Sequence, residues 1–112
     1  MDLIDRHRGI VLAQVLTAES LFKKIFGLTV GKPLGQDQCF LIKSCKSIHT
    51  IGMRYAIDAM FLDQTGRVLK VFEHVRPYRV TPFIKKAAHV VEFRAGFAYR
   101  NNITEGLCLG FI

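Results

Sequence analysis

Apolar positions run along this chain in short blocks rather than in long helical stripes. Gly9 to Ala18 reads Gly-Ile-Val-Leu-Ala-Gln-Val-Leu-Thr-Ala, short and rich in branched side chains, which predicts a strand. Glu19 to Phe26 differs: Leu21, Phe22, Ile25 and Phe26 recur at helical spacing while Lys23 and Lys24 take the other face. With Thr17 as N-cap and Gly27 as stop, this pattern predicts one short helix near residues 18–27. The turn residues of Gly31-Lys32-Pro33-Leu34-Gly35 predict a loop after it.

Beyond that loop the pattern is one of β structure. Cys39 to Lys43, Ile57 to Leu62, Val68 to Phe72, Ala88 to Phe93 and Leu107 to Ile112 each read as a strand. Asp63-Gln64-Thr65-Gly66 joins two of them as a four-residue hairpin connection, with glycine where a left-handed backbone is wanted. Pro77 and Pro82 break the segment that follows into an exposed connection. Five to seven short strands and one short helix predict a mostly β or α+β fold, a small barrel-like, antiparallel-rich domain. Cys39 to Lys43 reads as an exposed edge strand of the kind that could pair two copies, and the sequence sets no oligomeric state.

The chain has 112 residues, half of them hydrophobic, which predicts a single domain over 1–112 with material for a core. That composition excludes a disordered tail, a collagen-like rod and a low-complexity linker. Asp2 and Asp5 stand where a signal peptide carries its positive cluster. No stretch approaches the roughly 18 consecutive apolar residues of a membrane span. Cys39, Cys45 and Cys108 are odd in number and form no CxxC pair, so reduced thiols are expected. A soluble cytoplasmic protein without membrane contact is the expectation.

A net charge of +7 favours anionic partners. Between Arg76 and Arg100 lie Arg76, Arg79, Lys85, Lys86, Arg94 and Arg100 against the single acid Glu92, a local balance of +5. Tyr78, Phe83, Phe97 and Tyr99 are interspersed, as on a single-strand nucleic-acid surface, although a solvated rim around core aromatics reads the same way. No RNP, KH or helix-turn-helix signature accompanies them.

Candidate chemistry is sparse. Cys45, His49 and Met53 are spaced by four, which on a helix would present a soft S/N/S site suited to Cu(I). The segment leads directly into a strand, where that spacing loses its meaning, and no metal site or cofactor is assigned. Cys45 near His49 also reads as a thiol with a base, Lys43 and Lys46 being the cations that would activate it. A small core thiol is the competing reading. Asp58 and Glu92 lie inside apolar runs, so each either faces solvent by alternation or is buried, in an ion pair with Arg54 or Arg94 or as the polar floor of a ligand pocket.

The stretch Cys45-Lys46-Ser47-Ile48-His49-Thr50-Ile51-Gly52-Met53-Arg54-Tyr55-Ala56-Ile57-Asp58, with Phe61-Leu62-Asp63 and Gly66-Arg67-Val68 after it, resembles an uncharacterised family, domain of unknown function 192. Pro77-Tyr78-Arg79, Ala88 to Glu92 and Ala95-Gly96 continue the pattern, so the resemblance runs from about Glu19 to Leu109. It departs from the family where many members carry an aromatic-Trp-Met-Lys-Asn-Thr stretch, where Ala56 replaces a proline, and where Gly106-Leu107 replaces Gly-Asp. The resemblance implies a compact, largely β domain with a short helix packed on it, and no established reaction. Its signature positions here are His49, Asp58, Asp63, Gly66, Glu92 and Gly96. Gly66 and Gly96 read as turn positions, and Asp63 as the residue that opens the hairpin by bonding its own backbone.

Three readings follow. The first is a non-enzymatic binding or scaffold domain whose basic face meets an anionic small molecule or a protein, with no residue assigned as catalytic. Its candidate ligand site is His49, Arg54, Asp58, Glu92 and Cys45. The second is an enzyme using His49 and Asp58 as acid and base, which requires His49 within hydrogen-bond reach of a carboxylate. The third is single-stranded nucleic-acid binding, which requires Tyr78 and Tyr99 to be exposed.

Overall fold

Three strands whose sequences are apolar almost without interruption occupy the middle of one seven-stranded sheet. The computed structural model describes residues 1–17 and 34–112. Among them the strands are β1 (Asp2–Asp5), β2 (Ile10–Thr17), β3 (Gln38–Lys43), β4 (Ile57–Leu62), β5 (Val68–Val75), β6 (His89–Arg94) and β7 (Leu109–Phe111). Their order is β5-β4-β6-β3-β2-β1-β7, antiparallel throughout except for the β2–β3 pair. β3, β4 and β6 are covered on both faces, which is why their runs are nearly continuous rather than alternating. The fold is therefore the expected mostly β one, and the sheet curls toward a barrel without closing into a full ladder.

The two outer strands meet at a seam. Arg67 bridges Cys108, the Val68 N–H donates to the Leu107 carbonyl, and the Leu109 N–H donates to the Gly66 carbonyl. Gly66 has φ +90°, and a Cβ built there would collide with the Leu109 carbonyl oxygen. Only glycine combines that backbone conformation with that approach. The hairpin forms as expected: Asp63 Oδ1 accepts from the Thr65 and Arg67 backbone N–H groups at 2.8 and 3.0 Å.

Two corrections concern the sheet. Cys39 to Lys43 is no edge, because β3 lies between β6 and β2 with both ladders filled. A strand was also overlooked: β1 pairs with β2 and β7, and its buried Asp5 is held by the Arg8 guanidinium at 2.6 Å and by the His7 N–H at 2.9 Å. A single helical turn, α1 (Phe97–Arg100), was likewise unanticipated, being shorter than any period can register. The helix expected near 18–27 and residues 31–33 of the expected loop lie outside the described residues.

The sheet separates two cores. One face gathers Leu3, Leu12, Leu41, Met60, Val91, Phe93 and Leu109 with Phe97 of α1. Phe93 and Phe97 stack with centroids 4.1 Å apart, seating α1 against β6. The other face gathers Phe40, Ile42, Ile48, Met53, Ile57, Ala59, Phe61 and Val90. Among the described residues no helix is long and apolar enough to cross a membrane.

Candidate functional site

The connections 44–56 and 76–88 supply most of the chemistry. Ile48 and Thr50 point inward while His49 and Ile51 are exposed, so the segment alternates as an extended ribbon and not as a helix. His49 pairs with Val80. Cys45, His49 and Met53 therefore share no face: Met53 is buried in the second core and His49 is exposed. Among the described residues no three His, Cys, Asp or Glu side chains gather as a metal would require.

Thr50, fully buried, is the hub of this ribbon. Its hydroxyl donates to the Arg76 carbonyl at 2.6 Å and accepts from the Arg79 N–H at 2.9 Å. Its backbone N–H donates to the Arg79 carbonyl, and its carbonyl accepts from Tyr78, which sits at φ 62°. Thr81 repeats the device, its hydroxyl accepting the Ile48 N–H at 3.0 Å. Lys46 closes the far end by donating to the carbonyls of Lys85 and Ala87 at 2.7 and 2.6 Å. The two connections thus form one rigid frame, and its outer surface carries Ile51, Tyr78, Val80 and Phe83, each more than half exposed. Arg76, Arg79, Lys85 and Lys86 are exposed around them. Sequence reasoning weighed His49 and passed over Thr50, although the inward position in an alternating Ile-His-Thr-Ile run was available as a signal.

Asp58 does something other than line a pocket. It is fully buried on β4 opposite a β-bulge in β5, where the register slips between Ile57 and Ala59. One carboxylate oxygen accepts from the His74 N–H at 2.9 Å, and the other from the Gly96 and Ala98 N–H groups at 3.1 and 3.0 Å. His74 and Gly96 both adopt positive φ, so the carboxylate holds a strained bulge and the start of α1 together. The ion pairs expected of Asp58 and Glu92 with Arg54 or Arg94 do not form. Amides take the place of arginine at Asp58, and Arg54 and Arg94 are exposed. Between His49 and Asp58 there is no hydrogen bond: the His49 Nδ1 accepts from the Ile51 N–H at 3.3 Å.

Glu92 occupies the opposite face of the sheet from Asp58, beside Phe40 on β3 and Ala59 on β4. It is 5% exposed and makes no hydrogen bond or ion pair among the described residues. Burial pushes its carboxyl up to about 8. Tyr55 is half-buried nearby, its hydroxyl raised by burial and then by the charge of Glu92. Tyr55 also lines a cavity of about 550 Å³ with Leu34, Gly35, Ala56, Arg94 and Ala95. Sequence reasoning named Glu92 and missed Tyr55, which carries no periodic signal.

Two further features complete the inventory. The Cys45 thiol donates to the Ser47 carbonyl at 3.0 Å, and Cys39 is buried with its thiol pushed up to about 12. A wider cleft of about 840 Å³ runs between the hairpin residues Asp63 to Thr65 and Lys46, Lys85, Lys86 and His89. The His89 Nδ1 is buried there with no hydrogen-bond partner among the described residues.

Comparison with known proteins agrees with this fold. The model of the family DUF192, described as an uncharacterised ACR, matches residues 4–111. No curated protein matches the chain. A crystal structure of a protein of unknown function from Novosphingobium aromaticivorans superposes with TM-score 0.79 at 18% identity, covering 88% of this chain and 75% of that one. A second, from Sinorhizobium meliloti and described as a proposed transcription regulator, gives TM-score 0.81 at 19% identity over 97% of this chain and 89% of the other. At such identities the likeness is one of fold.

Proposed function

Because the chain belongs to the DUF192 family, which is described only as uncharacterised, we propose its role from the frame itself: a binding module that docks an acidic protein partner. One observation carries the reading. Ile51, Tyr78, Val80 and Phe83 stand exposed by 52, 67, 68 and 68% on a frame whose backbone groups are tied down by Thr50, Thr81 and Lys46. A clustered apolar surface on a rigid base marks an interaction site, and the exposed arginines and lysines around it favour an acidic rim on the partner. Binding to such a surface costs little ordering of the loops.

The test uses the immobilised protein with two variants, Val80→Ser/Phe83→Ser and Lys85→Glu/Lys86→Glu. An acidic protein retained by the wild type, lost by both variants and rebinding in purified form supports the reading. Retention that neither variant alters overturns it.

A second reading is single-stranded nucleic acid, favoured by the exposure of Tyr78, Phe83 and Tyr99 beside basic residues. Its mark is affinity for a fluorescent oligothymidine that falls steeply with salt and is lost in Tyr78→Ser/Phe83→Ser. The enzyme reading has less behind it, since both Asp58 oxygens are occupied by backbone amides.

A further inference from the structure

The cleft between the Asp63–Gly66 hairpin and Lys46 is lined by polar groups whose bonding is incomplete. Ala88 fixes its floor. The Ala88 N–H donates to the Leu62 carbonyl at 2.7 Å and its carbonyl accepts from the Cys45 N–H at 3.2 Å, so the hairpin and residues 44–46 flank it on either side. Lys85 and Lys86 are the central residues of a turn closed by the Ala87 N–H on the Ile84 carbonyl. The Lys46 ammonium clamps that turn through the carbonyls of Lys85 and Ala87. Lys85 and Lys86 both line the cleft, and their side chains make no hydrogen bond or ion pair among the described residues. His89 lines it as well. Burial, and then the charge of Lys43, lowers the imidazole pKa and keeps the ring neutral. Its Nδ1 is sealed from solvent without a partner, so the ring proton stands on Nε2, the nitrogen left for a ligand.

The opposite wall has the other polarity. The Thr65 hydroxyl and the turn amides hold the Asp63 carboxyl below its ordinary value, so it is ionised. Its three bonds all fall on Oδ1, and Oδ2 takes none among the described residues. Gln64 stands exposed beside it with its amide unbonded among the described residues. A bare anion would suit the lysines and leave the acid facing it. A nucleic-acid backbone, charged at every nucleotide, would press further phosphates against that acid. A dianionic phosphate carried on a small molecule rich in hydroxyl groups meets both walls, the lysines by charge and the carboxylate by accepted O–H bonds. The cleft, at about 840 Å³, has room for such a molecule. We propose that it binds a sugar phosphate, the phosphate on Lys85, Lys86 and His89 and the hydroxyls on Asp63 and Gln64. The site shares two lysines with the docking surface and none of its apolar residues, so the two readings separate in Val80→Ser/Phe83→Ser.

The experiment is calorimetric titration of the whole chain with ribose 5-phosphate, glucose 6-phosphate and fructose 6-phosphate, beside inorganic phosphate and unphosphorylated ribose and glucose. At least one sugar phosphate binds about tenfold or more tightly than inorganic phosphate, and the free sugars give no heat. Lys85→Gln/Lys86→Gln, at two exposed positions that leave the fold alone, abolishes the binding, and His89→Phe weakens it. Asp63→Asn, which keeps an oxygen for the turn amides, brings the sugar phosphate down toward the affinity of inorganic phosphate. Val80→Ser/Phe83→Ser binds the sugar phosphate as the wild type does, whatever becomes of a protein partner. The proposal is overturned if no sugar phosphate binds, if inorganic phosphate binds equally tightly, or if Lys85→Gln/Lys86→Gln matches the wild type. Loss of the ligand in Val80→Ser/Phe83→Ser, with that variant folded, overturns it as well by placing the ligand on the apolar patch.

Discussion

Asp58 and Glu92 belong to adjoining rungs of the β4–β6 ladder and yet face opposite sides of the sheet. Asp58 lies opposite Phe93 in the first core, and Glu92 lies opposite Ala59 in the second. One carboxylate is surrounded by donors and the other by hydrocarbon, so the two acids do unlike work from neighbouring positions.

Replacing Asp58 by alanine leaves the N–H groups of His74, Gly96 and Ala98 without their acceptor. The expected loss is about 3–5 kcal/mol of unfolding free energy, because buried donors are left unpaired. Urea denaturation measures it. A loss below about 1 kcal/mol contradicts the role given to this side chain.

Glu92→Gln moves stability in the other direction, and does so with pH. The folded value of about 8 lies above the ordinary 4.5, so the native protein holds a proton that the unfolded chain has already released. Wild-type stability therefore falls as pH climbs from about 4.5 to about 8, and the glutamine variant lacks that slope. The two proteins match near pH 4, and by pH 9 the variant is more stable by about 2–4 kcal/mol. Parallel melting curves across this range at every pH contradict the assignment.

Thr50→Val removes one hydroxyl at nearly constant volume. It strands the Arg79 N–H and the Arg76 carbonyl, at an expected cost of about 1–3 kcal/mol, whereas Thr50→Ser keeps most of the stability. Hydrogen exchange should quicken at Tyr78 and Arg79 in the valine variant alone. Unchanged exchange there removes Thr50 as the hub.

Gly66→Ala tests the seam. The new methyl would meet the Leu109 carbonyl at φ +90°, so the outer strands must part, at about 2–4 kcal/mol. Gly96→Ala, with open space around its Cβ, suffers only the backbone strain and costs about 1 kcal/mol. Equal melting temperatures for the two variants contradict the steric account.

The strands were legible wherever hydrophobic blocks met turn residues: Ile57 to Leu62 was read with its observed bounds, and the Asp63–Gly66 connection with its chemistry. Local pattern could not reveal partners. Nothing near Cys39 in the sequence says that β2 and β6 will flank it, so a central strand passed for an edge. β1 escaped notice because Asp5 is buried through bonds to its own turn, against the usual meaning of an acid. At the site, Asp58 and Glu92 were rightly marked as acids in apolar surroundings. Grouping them failed because one step of register decides which face a side chain takes. The exposure of Tyr78, Phe83 and Tyr99 against the burial of Phe97 was likewise a tertiary fact.

The ladder between β1 and β7 also sets the order of assembly. Asp2 and Ile112 exchange both backbone hydrogen bonds, so β1 finds one neighbour early and the other only from the far end of the chain. On a ribosome β1 has to wait until residue 112 has emerged, and the sheet cannot finish vectorially. A circular permutant that links these two positions and opens the chain at the Gln64–Thr65 hairpin tip would make this last pairing local. It should fold faster than the parent while unfolding at a similar rate.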